Sequence, residues 1–555
     1  MDQTAYSYDI TMFRETFEHE FTYLHGFLRN VHRFAPKAAL TCPLREQTWT
    51  YSDLNREANR LAQALKADGV GPMDLVMYQL LNSAEFVFCY LAPQKLGAIN
   101  CPINFRLAPG ETAFIIDDSK PRVFVYDADI KQTVLQALTM ANHKPERIVM
   151  VDISGKETAP PGHILYRDYV RAQPEDEPQT GNLPHVYAEV TRLYTSGTTG
   201  KPKGVPLNNI NEVLSAHDVA MHFPLSPQDI TMNMSPWFHR GGIHSGGPVP
   251  TLYVGGQIII LRQFNPKLCL ELTGKYRVTF LIGAPPMLKM LHDQQVKRPV
   301  DLTHLKGIVT MGAPLEKEAC TKFQQSLTPN IFNGYGTSEA FWNTFLRPYD
   351  LPVMAGTAGR ACTDDDVAVV RIFPDHRAEP WEHVAKDGQE TGEIIVKAPG
   401  KTTYAYHRNS NESERVFYKG WIYIGDLGTW DENEFVTVVG RKDDMIISSG
   451  ENIHPVQVEE ILNEHPKVKE SIVVGVPDEL RGEAVVAYIV KADPSLLARE
   501  LTDFCNTHPM LAKYKRPRYY CFVEELPYTA TGKKMHFRVK EQAVIDLAAG
   551  LLERG

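Results

Sequence analysis

The chain has no excess of basic residues. Its 58 Lys+Arg stand against 67 Asp+Glu, a net charge of −9 over 555 residues. A generic nucleic-acid binder carries the opposite balance, so that class is excluded. An anionic small ligand is not, because a pocket can be locally positive on an acidic protein. Long hydrophobic runs are also missing. No stretch approaches about 18 uninterrupted apolar residues, which argues against a membrane span. The most apolar segments, such as Ile258–Leu261, are strand-length. Met1–Glu20 shows no basic segment leading into an apolar one. No secretory signal is therefore expected, and the default location is the cytoplasm. The eight cysteines stand singly, with no Cys-x-x-Cys pair and no His spacing that completes a zinc site. Reduced, mostly buried thiols are expected.

What is present is ordinary globular material. The 43% hydrophobic content supports a sizeable core without disulfide or metal staples, and the length suggests roughly three to five folding units. Leu54, Ala58, Leu61 and Leu65 recur at helical spacing and predict a helix over Tyr51–Asp68, with Ser52 as its cap. Leu75–Leu80 reads as a strand and Ala84–Leu96 as a helix. Strand-like runs at Val123–Tyr126, Ile148–Val151, Thr279–Ile282 and Gly307–Met311 alternate with helical stretches, which predicts α/β layers with parallel strands. Ser154–Gly162 and Ala172–His185 read as surface loops, and Asp364–Asp366 as a solvated acidic turn. The last hundred or so residues carry short elements: a helix at Val456–Asn463, strands at Ser471–Val474 and Glu483–Val490, and a helix at Ser495–Cys505. They suggest a compact α+β unit beginning near the charged turn Gly440–Asp444.

The most informative segment is Thr195-Ser-Gly-Thr-Thr-Gly-Lys-Pro-Lys-Gly204. Hydroxyls at Thr195, Ser196, Thr198 and Thr199 and backbone N–H groups at Gly197 and Gly200 can wrap phosphate oxygens, while Lys201 and Lys203 neutralise their charge. It is not a Walker A loop. Two residues separate Gly197 from Gly200, and Pro202 stands where that loop needs Ser or Thr.

Tyr194–Gly204 resembles the signature of the adenylate-forming superfamily: acyl-CoA synthetases, firefly luciferase and peptide-synthetase adenylation domains. Four further segments match in order. Asn333-Gly-Tyr-Gly-Thr-Ser-Glu339 resembles the adenine and magnesium segment, and Tyr423-Ile-Gly-Asp426 the ribose segment. Gly440-Arg-Lys-Asp-Asp-Met-Ile-Ile-Ser-Ser-Gly-Glu-Asn-Ile453 resembles the hinge, and Gly532-Lys533 the mobile catalytic lysine. The resemblance runs from about residue 25 to about 540. It implies a large α/β N-terminal domain over 1–442, made of α/β subdomains and a β-rich one, with a small mobile α+β lid over 443–555. It also implies ATP, Mg2+ and coenzyme A as cofactors.

The implied reaction joins a carboxylate to the α-phosphate of ATP with loss of pyrophosphate, after which a thiol displaces AMP. A carboxylate is already ionised at pH 7, so catalysis rests on positioning and charge stabilisation rather than on a general base. By resemblance, Lys533 bridges the carboxylate and the α-phosphate, with Lys534 its only close competitor. Glu339 and Thr195 hold the magnesium ion. Thr337 donates to the reacting oxygens, and Asn333, Gly334, Tyr335, Gly336 and Ser338 surround adenine together with the Gly312-Ala313-Pro314 turn. Asp426 accepts from the ribose hydroxyls and Arg441 adds a second contact. Asp443 is the hinge. Ser449, Gly450 and Glu451 reach the site after rotation, Gly450 leaving width for the pantetheine arm. His536 stands where the family often has Arg.

Trp237-Phe-His-Arg-Gly-Gly242 resembles the segment that gates the acyl pocket. It places His239 at the gate, with the glycines at 241, 242, 246 and 247 making room near it, Phe238, Phe341 and Trp342 as apolar walls, and Gly334 also in the pocket. No charged residue is expected to face the pocket, so an uncharged, apolar small-molecule acid is favoured. Together with the hinge, Asn104-Phe-Arg-Leu-x-Pro-Gly-Glu111 looks closest to ligases for aryl, alicyclic or medium-chain acids. The partner is that acid; no nucleic acid and no membrane span are expected, and the chain is read as a monomer or homodimer. Three alternatives stay open: loading of a carrier protein, luciferase-like oxidation of the adenylate, and nucleotide binding without catalysis.

Overall fold

The computed structural model describes residues 7–181, 185–195, 201–312, 315–373, 375–441, 446–453, 455–527, 534 and 536–555. Four sheets organise the chain. A seven-stranded sheet runs in the order Ile164–Leu165, Arg147–Val151, Val123–Asp127, Leu75–Gln79, Ile99–Pro102, Glu189–Thr195, Lys203–Asn208. Only its last pair is antiparallel. A nine-stranded sheet holds six parallel neighbours in the order Ile331–Thr337, Gly307–Met311, Phe280–Gly283, Ile230–Asn233, Gln257–Ile259, Ala38–Cys42, with Phe341–Leu346 folded back antiparallel on the first. A five-stranded antiparallel sheet spans 366–441. The C-terminal unit has a six-stranded sheet built around the hairpin Val468–Asp478 and Gly482–Lys491. This is the expected architecture of two α/β subdomains, a β-rich one and a small α+β unit. The proposed division at 442/443 lies outside the described residues.

Periodicity located the elements, and local chemistry shifted their ends. The helix predicted over Tyr51–Asp68 spans Tyr51–Ala67, but its cap is Thr50, not Ser52. Thr50 Oγ1 accepts from Asp53 N, and the Asp53 carboxylate accepts in return from Thr50 N at 2.9 Å. That reciprocal box satisfies two orphan N–H groups at once. The strand expected over Ser471–Val474 spans the 11 residues Val468–Asp478, because hairpin pairing carries the ladder past its apolar centre, whereas that expected over Glu483–Val490 is one residue longer at each end, Gly482–Lys491. The acidic triplet is not simply a solvated turn. Asp365 is buried and pairs with Lys401 at 2.9 Å and Asn343 at 3.0 Å. Seven of the eight cysteines are buried and the eighth, Cys521, half-buried. Among the described residues no helix is long and apolar enough to cross a membrane.

Candidate functional site

The carboxyl ends of the central strands of both α/β sheets and one edge of the C-terminal unit enclose a cavity of about 270 Å³. Parallel strands leave such a crevice beyond their carboxyl ends, where the connections diverge. Of the residues singled out from sequence, Thr195, Phe238, His239, Gly312, Gly334, Gly336, Thr337, Ser338 and Phe341 line it from the large part. Ser449, Gly450 and Glu451 line it from the C-terminal unit.

The phosphate-type segment is flanked by two antiparallel strands, Glu189–Thr195 and Lys203–Asn208. Thr195 pairs with Lys203 across it, so a second strand follows the loop where a Walker loop has a helix. Ser196, Gly197, Thr198, Thr199 and Gly200 lie outside the described residues, as do Ala313, Pro314, Asp443 and Lys533. Lys201 Nζ lies 5.9 Å from the Phe114 ring centroid. Lys203 departs from its expected role: its buried ammonium pairs with Glu412 and lies over the Tyr406 ring. A buried cation already neutralised by a carboxylate is not available to a phosphate.

The Asn333–Glu339 segment forms the end of one strand and the turn into Phe341–Leu346. Gly336 is required there, because a Cβ would sit 1.6 Å from the Phe341 carbonyl oxygen. Asn333 is buried and its Oδ1 has no hydrogen-bond partner. Tyr335 donates its hydroxyl to Asp426 Oδ2 at 2.5 Å, tying the adenine-type and ribose-type segments together. In the backbone register of its strand pair Asp426 stands opposite Arg441. Glu339 Oε1 accepts from the Tyr406 hydroxyl at 2.6 Å.

At the gate, His239 caps the short helix Arg240–His244, accepting from Gly242 N at 3.0 Å. Burial, and then the Arg106 charge, push its pKa down to about 4, so the ring is neutral at pH 7. Gly242 does not line the cavity. Its missing side chain serves the backbone, since a Cβ would sit 1.7 Å from the Pro236 carbonyl oxygen; Gly241, also expected to make room, does line the cavity. The expectation of an uncharged wall is corrected as well. Arg106, Arg240, Glu451 and Lys515 all line the cavity. Arg240 is buried, its guanidinium donating to Ser338 O at 2.7 Å, Lys401 O at 2.8 Å and Ser215 Oγ at 3.1 Å. Burial pulls its pKa down to about 10, against the pull of Glu212 and three further carboxylates; it stays charged at pH 7. Arg240 stood in the quoted motif without a role, and its position beside His239 was the available signal.

The C-terminal unit is docked through polar contacts that the sequence did not announce. Glu451 accepts from Arg106 at 2.8 Å and from Asn104 Nδ2 at 3.2 Å. Burial raises the Glu451 pKa, and Arg106 opposes that rise. Deeper in the interface, Lys515 pairs with Glu111, with side chains 3% and 0% exposed. Gln457 bridges both, at 3.2 Å to Glu111 and 3.0 Å to Lys515. Gly110 N donates to Pro509 O at 2.9 Å, and a Cβ at Gly110 would come within 2.9 Å of that same backbone oxygen, so close docking favours glycine there. Elsewhere in the unit, Lys534 and His536 both bond Glu459, at 3.1 and 2.6 Å.

The model of the AMP-binding enzyme family matches residues 27–406 and that of its C-terminal domain residues 457–533. Indoleacetate–CoA ligase of Aromatoleum aromaticum is 32% identical, over 90% of this chain and 93% of its own. A double mutant of o-succinylbenzoate CoA synthetase from Bacillus subtilis, bound with its product analogue OSB-NCoA, superposes at a TM-score of 0.79 and 26% identity, covering 93% of this chain and 98% of its own. The same synthetase in complex with AMP superposes at 0.65, with the same identity and coverage.

Proposed function

This chain belongs to the AMP-binding enzyme family, and from that premise we propose that it is an ATP-dependent carboxylate–CoA ligase whose C-terminal unit is docked in the thiol-transfer arrangement. The carrying observation is the shared cavity: Thr195, Thr337 and His239 from one part and Ser449, Gly450 and Glu451 from the other wall a single space. The higher superposition on the CoA-analogue complex than on the AMP complex of one relative supports the same arrangement.

The reading assigns two steps. A carboxylate oxygen attacks the α-phosphorus of ATP and pyrophosphate leaves. The CoA sulfur then attacks the acyl carbon and AMP leaves. In the first step Lys533 bridges the two anions and Thr337 orients them. Asp426 and Arg441 hold the ribose, and Asn333, with its unpartnered Oδ1, fits the exocyclic amine of adenine. Glu339 and Thr195 offer only oxygen donors, which fit Mg2+; the ion when bound supplies charge neutralisation at the phosphates. In the second step Gly450 leaves room for the pantetheine arm, with nothing within 4 Å of where its Cβ would stand. Rotation about Asp443 exchanges the two arrangements. Beyond its carboxylate the acid is read as aryl, alicyclic or medium-chain, a body that the apolar side chains Phe238, Phe341 and Trp342 of the cavity would contact.

Incubation with ATP, Mg2+, CoA and acids from acetate through benzoate to palmitate tests this. Equal amounts of AMP, pyrophosphate and thioester are expected with at least one acid. ATP binding without AMP release from any acid refutes it.

A further inference from the structure

Glu339 is a long side chain on a turn, and two contacts fix it. The backbone is pinned one residue earlier, where the Arg240 guanidinium donates to Ser338 O at 2.7 Å. The carboxylate is aimed by Tyr406, whose hydroxyl donates to Glu339 Oε1 at 2.6 Å. A phenol can donate and a carboxylate can only accept, so the bond runs in that direction. Among the described residues the other oxygen, Oε2, makes no hydrogen bond or ion pair.

Tyr406 is itself held on every side. It is buried. Its ring tilts against Phe417 at 5.4 Å between centroids, and the Lys203 ammonium stands 5.3 Å from its centroid. Lys203 is kept there by Glu412, which Arg415 also holds at 2.7 Å. Tyr406 N donates to Ser413 Oγ at 2.9 Å, and the next residue, His407, donates from its backbone to Gly204 O at 2.8 Å. That last bond joins the Tyr406 segment to the strand that follows the phosphate-type segment. Thr195 pairs with Lys203 of the same strand. The elements carrying the two expected ligands of the ion, Thr195 and Glu339, are thus connected through Tyr406.

We propose that Tyr406 is the positioning residue of the magnesium site: its hydroxyl fixes one oxygen of Glu339 and leaves the other for the ion that accompanies ATP. This rests on the carboxylate–CoA ligase reading, in which Glu339 holds Mg2+, and deepens it by adding a residue that acts through that ligand. Outer partners of this kind orient a ligating carboxylate, and their loss weakens metal binding by about 10–100-fold. Lys203, withdrawn from the phosphates by Glu412, serves the same site at one remove by bracing the Tyr406 ring.

Tyr406→Phe keeps the ring and removes the hydroxyl. Binding of α,β-methylene-ATP, which cannot release pyrophosphate, is measured by titration calorimetry in Mg2+ and again in EDTA. The wild type is expected to bind more tightly in Mg2+. In Tyr406→Phe the ratio of the two affinities is expected to fall about tenfold, with the affinity in EDTA within about twofold of wild type. Adding Tyr406→Phe to Glu339→Gln should change the ratio no further, because the hydroxyl acts through that carboxylate. Thermal unfolding checks that each variant is folded, and Tyr406→Leu decides the matter if Tyr406→Phe does not fold. Equal weakening in Mg2+ and in EDTA, or an unchanged ratio in a folded variant, overturns the assignment while leaving the ligase reading intact. A wild type that binds no tighter in Mg2+ than in EDTA overturns the assignment too. No AMP release from any acid overturns the ligase reading and this assignment with it.

Discussion

Glu111→Gln isolates the docking contact from the chemistry. Glu111 uses one oxygen to accept from Ala108 N at 3.0 Å, closing the start of its helix, and the other to hold Lys515. A glutamine keeps the first bond with its carbonyl oxygen. Its amide NH2 then faces the Lys515 ammonium, donor against donor, with both side chains almost wholly buried. Breaking a buried pair by removing one charge costs about 3–5 kcal/mol. Undocking returns Lys515 to water, so the cost appears as a shift in the docked population. About 3 kcal/mol corresponds to roughly 150-fold. Single-turnover thioester formation from supplied acyl-adenylate and CoA is therefore expected to slow by about two orders of magnitude, while ATP–pyrophosphate exchange stays within about twofold. Glu111→Gln combined with Lys515→Met removes the stranded charge and should recover part of the loss. An equal fall in both half-reactions, or no fall in thioester formation, refutes the reasoning that this pair belongs to the thiol-transfer arrangement.

Three further outcomes are expected. Gly450→Leu should spare pyrophosphate release and block thioester formation: the open space beside Gly450 would be filled, and its φ of +78° disfavours any other residue. Lys533→Ala should do the reverse, slowing adenylation while thioester formation from supplied acyl-adenylate stays near normal; measuring the two half-reactions separately decides it. His239 should show no titration above about pH 5 by NMR, since its pKa lies near 4. A folded-state pKa held below the unfolded value of 6.5 means that the unfolded chain binds the extra proton between those limits. Folding stability should therefore rise with pH from about 4 to 6.5, more steeply in the wild type than in His239→Gln, by urea titration.

The parts of the fold that declare themselves in the sequence are those where one physical signal dominates. Leu54, Ala58, Leu61 and Leu65 are all fully buried on one helix face, and the runs at 123–126, 148–151 and 307–311 are central parallel strands. The site segments stand out because dense glycine and hydroxyl residues have few other uses. What remained hidden depends on partners distant in sequence. Asp365 reads as solvated until Lys401 meets it, and Lys203 as a phosphate ligand until Glu412 takes it. Lys515 lies 404 residues from Glu111, and no local pattern encodes that meeting.

The cysteines acquire a meaning once the chemistry is considered. An acyl-adenylate is an activated anhydride, and any thiolate within reach competes for it. Among the described residues, no cysteine lines the cavity. Desolvation raises the pKa of the buried Cys89, Cys101, Cys269 and Cys362, which keeps them protonated and poorly nucleophilic. The interior thus stores its sulfur in an inert form and away from the reacting carbon. The intermediate can wait for an incoming thiol without acylating the protein that made it.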